Sequence, residues 1–254
     1  MFSQETRCIY HKNQLGEVIC QLRFPEILTI GTTAPAEFQE AIRADYPQYN
    51  ALKETPILKP GTPPAPSQPS LNHQFVSADG IWRVNLTSKF ISLACSRYTR
   101  WEDFAARLDK PLAAFIRIYQ PAWFDRVGLR YLNFFSRKAL DQDSTPWREL
   151  FTPMYLGVLA SDGIQEQSTS RSTVDADFAL RGGCRAKLHA GPGMVRRGNQ
   201  PDPELKFILD LDLYMPGKLA VNLSAGALQT LHAQAWPLFR NAITDRLHDA
   251  MEPQ

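Results

Sequence analysis

The chain has 254 residues, 44% hydrophobic and 21% charged, which excludes a disordered chain, a coiled coil and a collagen-like repeat and allows a sizeable core. Twenty-eight basic against 26 acidic residues give a net charge of +2 with no basic arm, so nonspecific nucleic-acid binding is disfavoured. Cys8, Cys20, Cys95 and Cys184 form no Cys-x-x-Cys pair, and no apolar run approaches the ~18 residues of a membrane span. The expectation is a soluble, cytoplasmic protein with reduced cysteines, no cofactor and no membrane partner.

Residues 17–24 alternate, with Val18, Cys20, Leu22 and Phe24 on one face and Glu17, Gln21 and Arg23 on the other, which predicts a half-buried strand. Thr33-Ala-Pro-Ala-Glu37 then offers an N-cap, a proline in the first turn and an acidic residue at the positive end of a short helix. Residues 56–70 carry six prolines among Gly, Ser, Thr and Gln, and predict an exposed loop. A solvated connector is favoured there over a proline-rich ligand, although Pro60-Gly-Thr-Pro63 has the P-x-x-P form.

Strands are predicted at 74–78, 81–87 and 90–97, joined at Asp79-Gly80 and Ser88-Lys89. Thr99-Arg-Trp-Glu102 has the pattern of a capping box, opening a helix with Trp101, Phe104, Leu108, Leu112, Phe115 and Tyr119 as its apolar stripe and Pro111 as a kink.

The second half repeats the outline. Residues 124–135 alternate, with Val127, Leu129 and Tyr131 on one face and Arg126, Gly128 and Arg130 on the other. A short helix is predicted after Thr145-Pro146, weak strand character over 164–180, a clear strand over 184–190, a turn at Gly191-Pro-Gly193 and a strand over 204–214. A last helix, capped by Ser224 and bent at Pro237, carries Leu228, Leu231, Ala235, Leu238 or Phe239, Ile243 and Leu247.

The pattern predicts one α+β domain over 1–254: a duplicated β-α-β-β-β-α unit, about 15–121 and 122–250, forming a large twisted antiparallel sheet with two long helices packed on one face. Taken together, the stretches Glu17-Val-Ile-Cys-Gln-Leu-Arg-Phe24, Ser96-Arg-Tyr-Thr-Arg-Trp-Glu-Asp-Phe104, Arg126-Val-Gly-Leu-Arg-Tyr-Leu-Asn133 and Phe239-Arg-Asn-Ala-Ile-Thr-Asp-Arg-Leu247 resemble a sporadically distributed family of uncharacterised bacterial and archaeal proteins of about this length. That resemblance implies no activity, cofactor or catalytic residue. Its sporadic distribution implies an accessory or defence-type setting, with the proline-rich loop as an individual insertion.

Asp210 and Asp212 fall on one side of a strand, where two carboxylates suit Mg²⁺ or acid/base work; as the polar side of an amphipathic strand they would instead pair with Arg126 or Arg130, which is the favoured reading. Arg23, Arg126, Arg130 and Asn133 are candidates for an anion-binding platform, extended by Arg171, Arg185 and Lys187 in the basic stretch 171–197. His11, His73, His189, His232 and His248 make no ligand spacing, and His232 and His248 are expected as surface or boundary residues of the last helix, not as ligands. No Gly-x-Ser-x-Gly, Gly-x-Gly-x-x-Gly or P-loop motif occurs.

The leading expectation is therefore a noncatalytic binding or adaptor protein acting on another protein or on a second copy of itself. The alternatives are nucleic-acid binding by an arginine-rich sheet face, and a metal-dependent nuclease or hydrolase at Asp210 and Asp212.

Overall fold

Alternating residues early in the chain form strand β1 (Leu15–Arg23), which lies in the middle of the sheet of the computed structural model. The structure describes residues 8–54, 70–197 and 200–254. After β1 come α1 (Leu28–Thr32), α2 (Ala36–Ile42), β2 (Gln48–Glu54), β3 (Ser70–Val76), β4 (Trp82–Leu86), β5 (Phe90–Cys95) and α3 (Trp101–Tyr119). Then follow β6 (Phe124–Phe135), α4 (Trp147–Leu150), β7 (Val174–Ala179), β8 (Arg185–Arg197), β9 (Gln200–Leu219), α5 (Ser224–Ala242) and α6 (Asp245–Ala250).

The protein is α+β: among the described residues, nine strands form one antiparallel sheet in the order β2-β3-β4-β5-β1-β6-β9-β8-β7, accompanied by six α-helices. None of these helices is long and apolar enough to cross a membrane. Cross-strand register explains which side chains are buried. Cys20 stands opposite Leu93 on one side and Leu129 on the other, and Leu129 stands opposite Leu213, so one buried row crosses four strands. Fully burying a side chain of this size contributes about 1.5–3 kcal/mol. The same period of two sends Arg130 and Asp212, which are also register partners, to the opposite face.

Aromatic contacts join the helices to the buried row. Phe104 of α3 packs against Trp82 of β4 at 5.8 Å, and Phe115 of α3 against Phe24, just past β1, at 4.7 Å between ring centroids. On α5, His232 Nδ1 shares a 2.8 Å hydrogen bond with the Tyr131 hydroxyl of β6.

Several local expectations need correction. The edge strand β2 and the single-turn helix α1 are additions to the predicted order. Gly191-Pro-Gly193 is not a turn but the middle of β8, and β9 begins already at Gln200. Glycine is needed at position 191 for a different reason: φ is +153° there, and a Cβ would lie 2.3 Å from the Ser172 carbonyl oxygen. The weak pattern over 164–180 forms a strand only in β7.

Thr99 makes no capping box, because α3 begins at Trp101 and the Thr99 hydroxyl donates to Asp103. Likewise α2 has Pro35, not Thr33, at its N-cap position, without a side-chain cap. Ser224 lies inside the first turn of α5, where its hydroxyl donates to the Val221 carbonyl. The last helix is in fact two, because Ile243 is extended and bridges to Phe151 before Thr244 caps α6. The proline-rich segment 56–70 lies, apart from Ser70, outside the described residues.

Candidate binding face

Four adjacent strands, β6, β9, β8 and β7, bring most of the candidate residues to the face opposite the buried row. In register across them run Arg130, Asp212, Lys187 and Asp177, a row of alternating charge. The neighbouring row is Leu132, Asp210, His189 and Asp175. The sequence produces this lattice by alternation over short stretches: Arg185, Lys187 and His189 of β8 and Asp210 and Asp212 of β9 face outward, while Ala186, Leu188, Ala190, Leu209, Leu211 and Leu213 between and beside them are buried.

Hydrogen bonds join these side chains to one another and to Arg126 and Arg185 on the same face. Arg130 donates from Nε and Nη2 to the two carboxylate oxygens of Asp210 at 2.8 and 2.5 Å. Arg126 donates from Nη2 to both oxygens of Asp212 at 2.6 and 2.8 Å, and its guanidinium lies 4.6 Å from the centroid of the Tyr214 ring. Arg185 reaches Asp177 at 2.6 Å and the Tyr214 hydroxyl at 3.3 Å, and His189 Nδ1 is 2.7 Å from Asp175.

The hydrogen bond to Asp210 pushes the Arg130 pKa above its ordinary value, as that to Asp177 does for Arg185. Lys187 stands apart: it makes no ion pair among the described residues, and its ammonium lies 5.8 Å from the Tyr214 ring centroid.

Asp210 and Asp212 are thus each occupied by an arginine, as the amphipathic-strand reading expects. Among the described residues, no group of three or more His, Cys, Asp or Glu side chains converges as a metal site would need.

The structure separates the remaining candidates. Arg23 is on the same face but at its end, directly opposite Arg126, beside a depression that Glu26, Lys89 and Asp125 also line. Arg171 is exposed in the segment before β7 and does not join the lattice. Asn133 does not belong to the platform at all. Its position differs from Arg126 and Arg130 by an odd number of residues, so it shares the buried face with Tyr131 and donates to the Leu209 carbonyl at 3.1 Å.

His232 is a second correction: it is buried between Tyr131 and Trp101 instead of facing solvent. Nor does His248 sit on α5; it is on α6, where Nδ1 meets the Tyr10 hydroxyl at 2.7 Å. The candidate list omits Asp175, Asp177, His189 and Tyr214. The same two-residue spacing that singles out Asp210 and Asp212 is present at Asp175 and Asp177, but only the register of β7 with β8 brings those carboxylates to His189 and Arg185.

No protein-family model matches the chain, and no curated protein matches it.

Proposed function

We propose that the chain is a noncatalytic binding or adaptor protein that engages another protein through the charged face of β6, β9, β8 and β7. The observation that supports this is the alternating row Arg130, Asp212, Lys187 and Asp177. A row with both signs in fixed positions complements another mixed mosaic in one register, giving orientation and partner choice more than raw affinity. A phosphate chain presents one sign only, and arginines already bonded to aspartates have less charge to offer it.

Two finer features belong to this reading. The strand order suits a duplicated unit, since β1, β5, β4 and β3 run outward from the centre as β6, β9, β8 and β7 do on the other side. The contacts of α3 and α5 fit both long helices on the buried face of a single domain, leaving the charged face to the partner. A cytoplasmic setting accords with the free cysteines Cys20, Cys95 and Cys184.

The test is affinity purification of the tagged full chain at low salt, beside Arg130→Glu and the off-face control Arg171→Glu. The expected result is a stoichiometric co-eluting protein that Arg130→Glu loses and Arg171→Glu keeps. A partner retained equally by all three, or no partner for the wild type, overturns the proposal. Co-elution of nucleic acid with steep salt dependence would replace it with the nucleic-acid alternative.

A further inference from the structure

Strand β7 ends the sheet: β8 pairs with one of its edges, and among the described residues no strand pairs with the other. Nor does any turn or loop among the described residues hydrogen-bond to the backbone of its six residues. An edge strand left in this state presents a row of N–H and C=O groups that another extended chain can complete. The two faces of this edge differ. Val174, Ala176 and Phe178 pack against the core yet stay partly exposed, while the side chains of Asp175 and Asp177 on the charged face remain 69% and 44% exposed despite their bonds to His189 and Arg185.

The lattice sets what an added strand must carry. The row Arg130, Asp212, Lys187 and Asp177 alternates in sign and stops at the edge on a carboxylate. The neighbouring row also stops on a carboxylate, Asp175, next to His189. A strand laid along β7 places its own alternate residues opposite Asp177 and Asp175, where opposite charges attract and like charges repel. Its intervening residues fall beside Val174, Ala176 and Phe178, where apolar side chains extend the core face.

A second copy of β7 does not meet these terms. In two-fold antiparallel pairing of the strand with itself, a centred register that keeps the charged faces together sets one carboxylate against another, for example Asp175 against Asp177. A register shifted by one residue turns the charged face of the partner onto the core side.

We propose that the open edge of β7 binds an extended segment of a partner protein in which Lys or Arg alternates with apolar residues, added to the sheet as a further strand. The proposal rests on the reading of the charged face as a protein-binding surface and deepens it, because it names the kind of segment and the place where it docks. Backbone pairing supplies the attachment, and the two carboxylates choose among segments.

The experiment is calorimetric titration of the intact chain with three end-capped synthetic peptides: Thr-Val-Lys-Val-Lys-Val-Thr, its acidic counterpart Thr-Val-Glu-Val-Glu-Val-Thr, and Val-Lys-Lys-Val-Thr-Thr-Val, which keeps the composition of the first but not its alternation. The alternating basic peptide is expected to bind one to one, about tenfold more tightly than either control, since two cross-strand pairs change from attraction to repulsion or lose their register. It should also slow hydrogen exchange at β7 amides that face away from β8. Replacing both carboxylates, Asp175→Asn with Asp177→Asn, should remove the preference for the basic over the acidic peptide in a chain that still unfolds cooperatively, and the comparison on the unaltered chain decides by itself. Equal affinities for the three peptides, no saturable binding of the basic one, or binding that leaves exchange in β7 unchanged would overturn the proposal. A chain that keeps an Arg130-dependent partner yet ignores these peptides would lose the edge and retain the face.

Discussion

The imidazole of His232 on α5 lies on the indole of Trp101 at the start of α3, with ring centroids 4.5 Å apart and planes 9° apart. These residues are 131 positions apart, and with the Tyr131 hydroxyl on His232 they tie the first long helix, the last long helix and a central strand at one point. Aromatic pairs in such contact contribute about 0.5–1.5 kcal/mol beyond the area they bury.

Truncating this junction is therefore expected to destabilise the whole fold. Trp101→Ala should lower the unfolding free energy by about 3 kcal/mol, within the usual range for a buried tryptophan. Trp101→Phe keeps a ring against His232 but loses the bond to Gln229, and should cost about 1 kcal/mol. Urea unfolding followed by circular dichroism gives both values. A loss under ~1 kcal/mol for Trp101→Ala would show that the helices do not depend on each other here.

The pair Arg126 and Asp212 allows a sharper test of the charged lattice. Both side chains are mostly buried, at 18% and 25% exposure, and both are bonded, so removing one leaves the other poorly solvated. Arg126→Ala is expected to cost about 2 kcal/mol, and Asp212→Asn somewhat less because the amide still accepts a hydrogen bond. The double variant should cost clearly less than the sum. Strict additivity in that cycle would mean that the two charges do not interact in solution.

How much of this was legible in the sequence depended on periodicity. The two-residue period at 124–135 and the helical stripe from Trp101 to Tyr119 match β6 and α3, because each has one face on the core and one on solvent. Strand β2 (Gln48–Glu54) was not legible: at the sheet edge it buries little, and Tyr49, Ala51 and Lys53 make no apolar stripe.

The pairing of Asp210 with Arg130 was readable in kind but not in partner, since parity gives the face and only register gives the neighbour. Asn133 was misplaced because it was grouped by residue type when its odd spacing from Arg126 already set it on the other side. His232 was misplaced because one polar residue on an amphipathic helix carries no sign of the tyrosine that will meet it.

Gly191 separates a turn glycine from a close-approach glycine. A turn would tolerate alanine at modest cost, whereas here a Cβ would stand 2.3 Å from the Ser172 carbonyl oxygen and 3.1 Å from Thr173 Cα. Both obstacles are backbone, so relief requires the segment before β7 to move away from β8. Gly191→Ala is expected to cost at least ~2 kcal/mol and to speed hydrogen exchange in β7 selectively. Wild-type-like exchange with unchanged stability would disprove the close approach.

Three tyrosines set an alkaline limit to stability. Burial, the largest cause in each case, pushes the pKa of Tyr46, Tyr119 and Tyr155 from 10.0 to about 12. The raised value means that the folded state holds each phenolic proton over a range in which the unfolded chain has released it. Below pH 10 both states are protonated and the fold keeps its full stability; between about 10 and 12 the unfolded state gains from ionisation and stability falls. Tyr155, whose hydroxyl donates to the Leu238 carbonyl at 3.3 Å, is the cleanest probe because no charged neighbour contributes to its shift. Tyr155→Phe should be slightly less stable at neutral pH and lose stability less steeply above pH 10, with phenolate absorbance in the wild type rising together with the loss of circular dichroism. Phenolate appearing at ordinary tyrosine pH in a chain that stays folded would show that these hydroxyls are not buried.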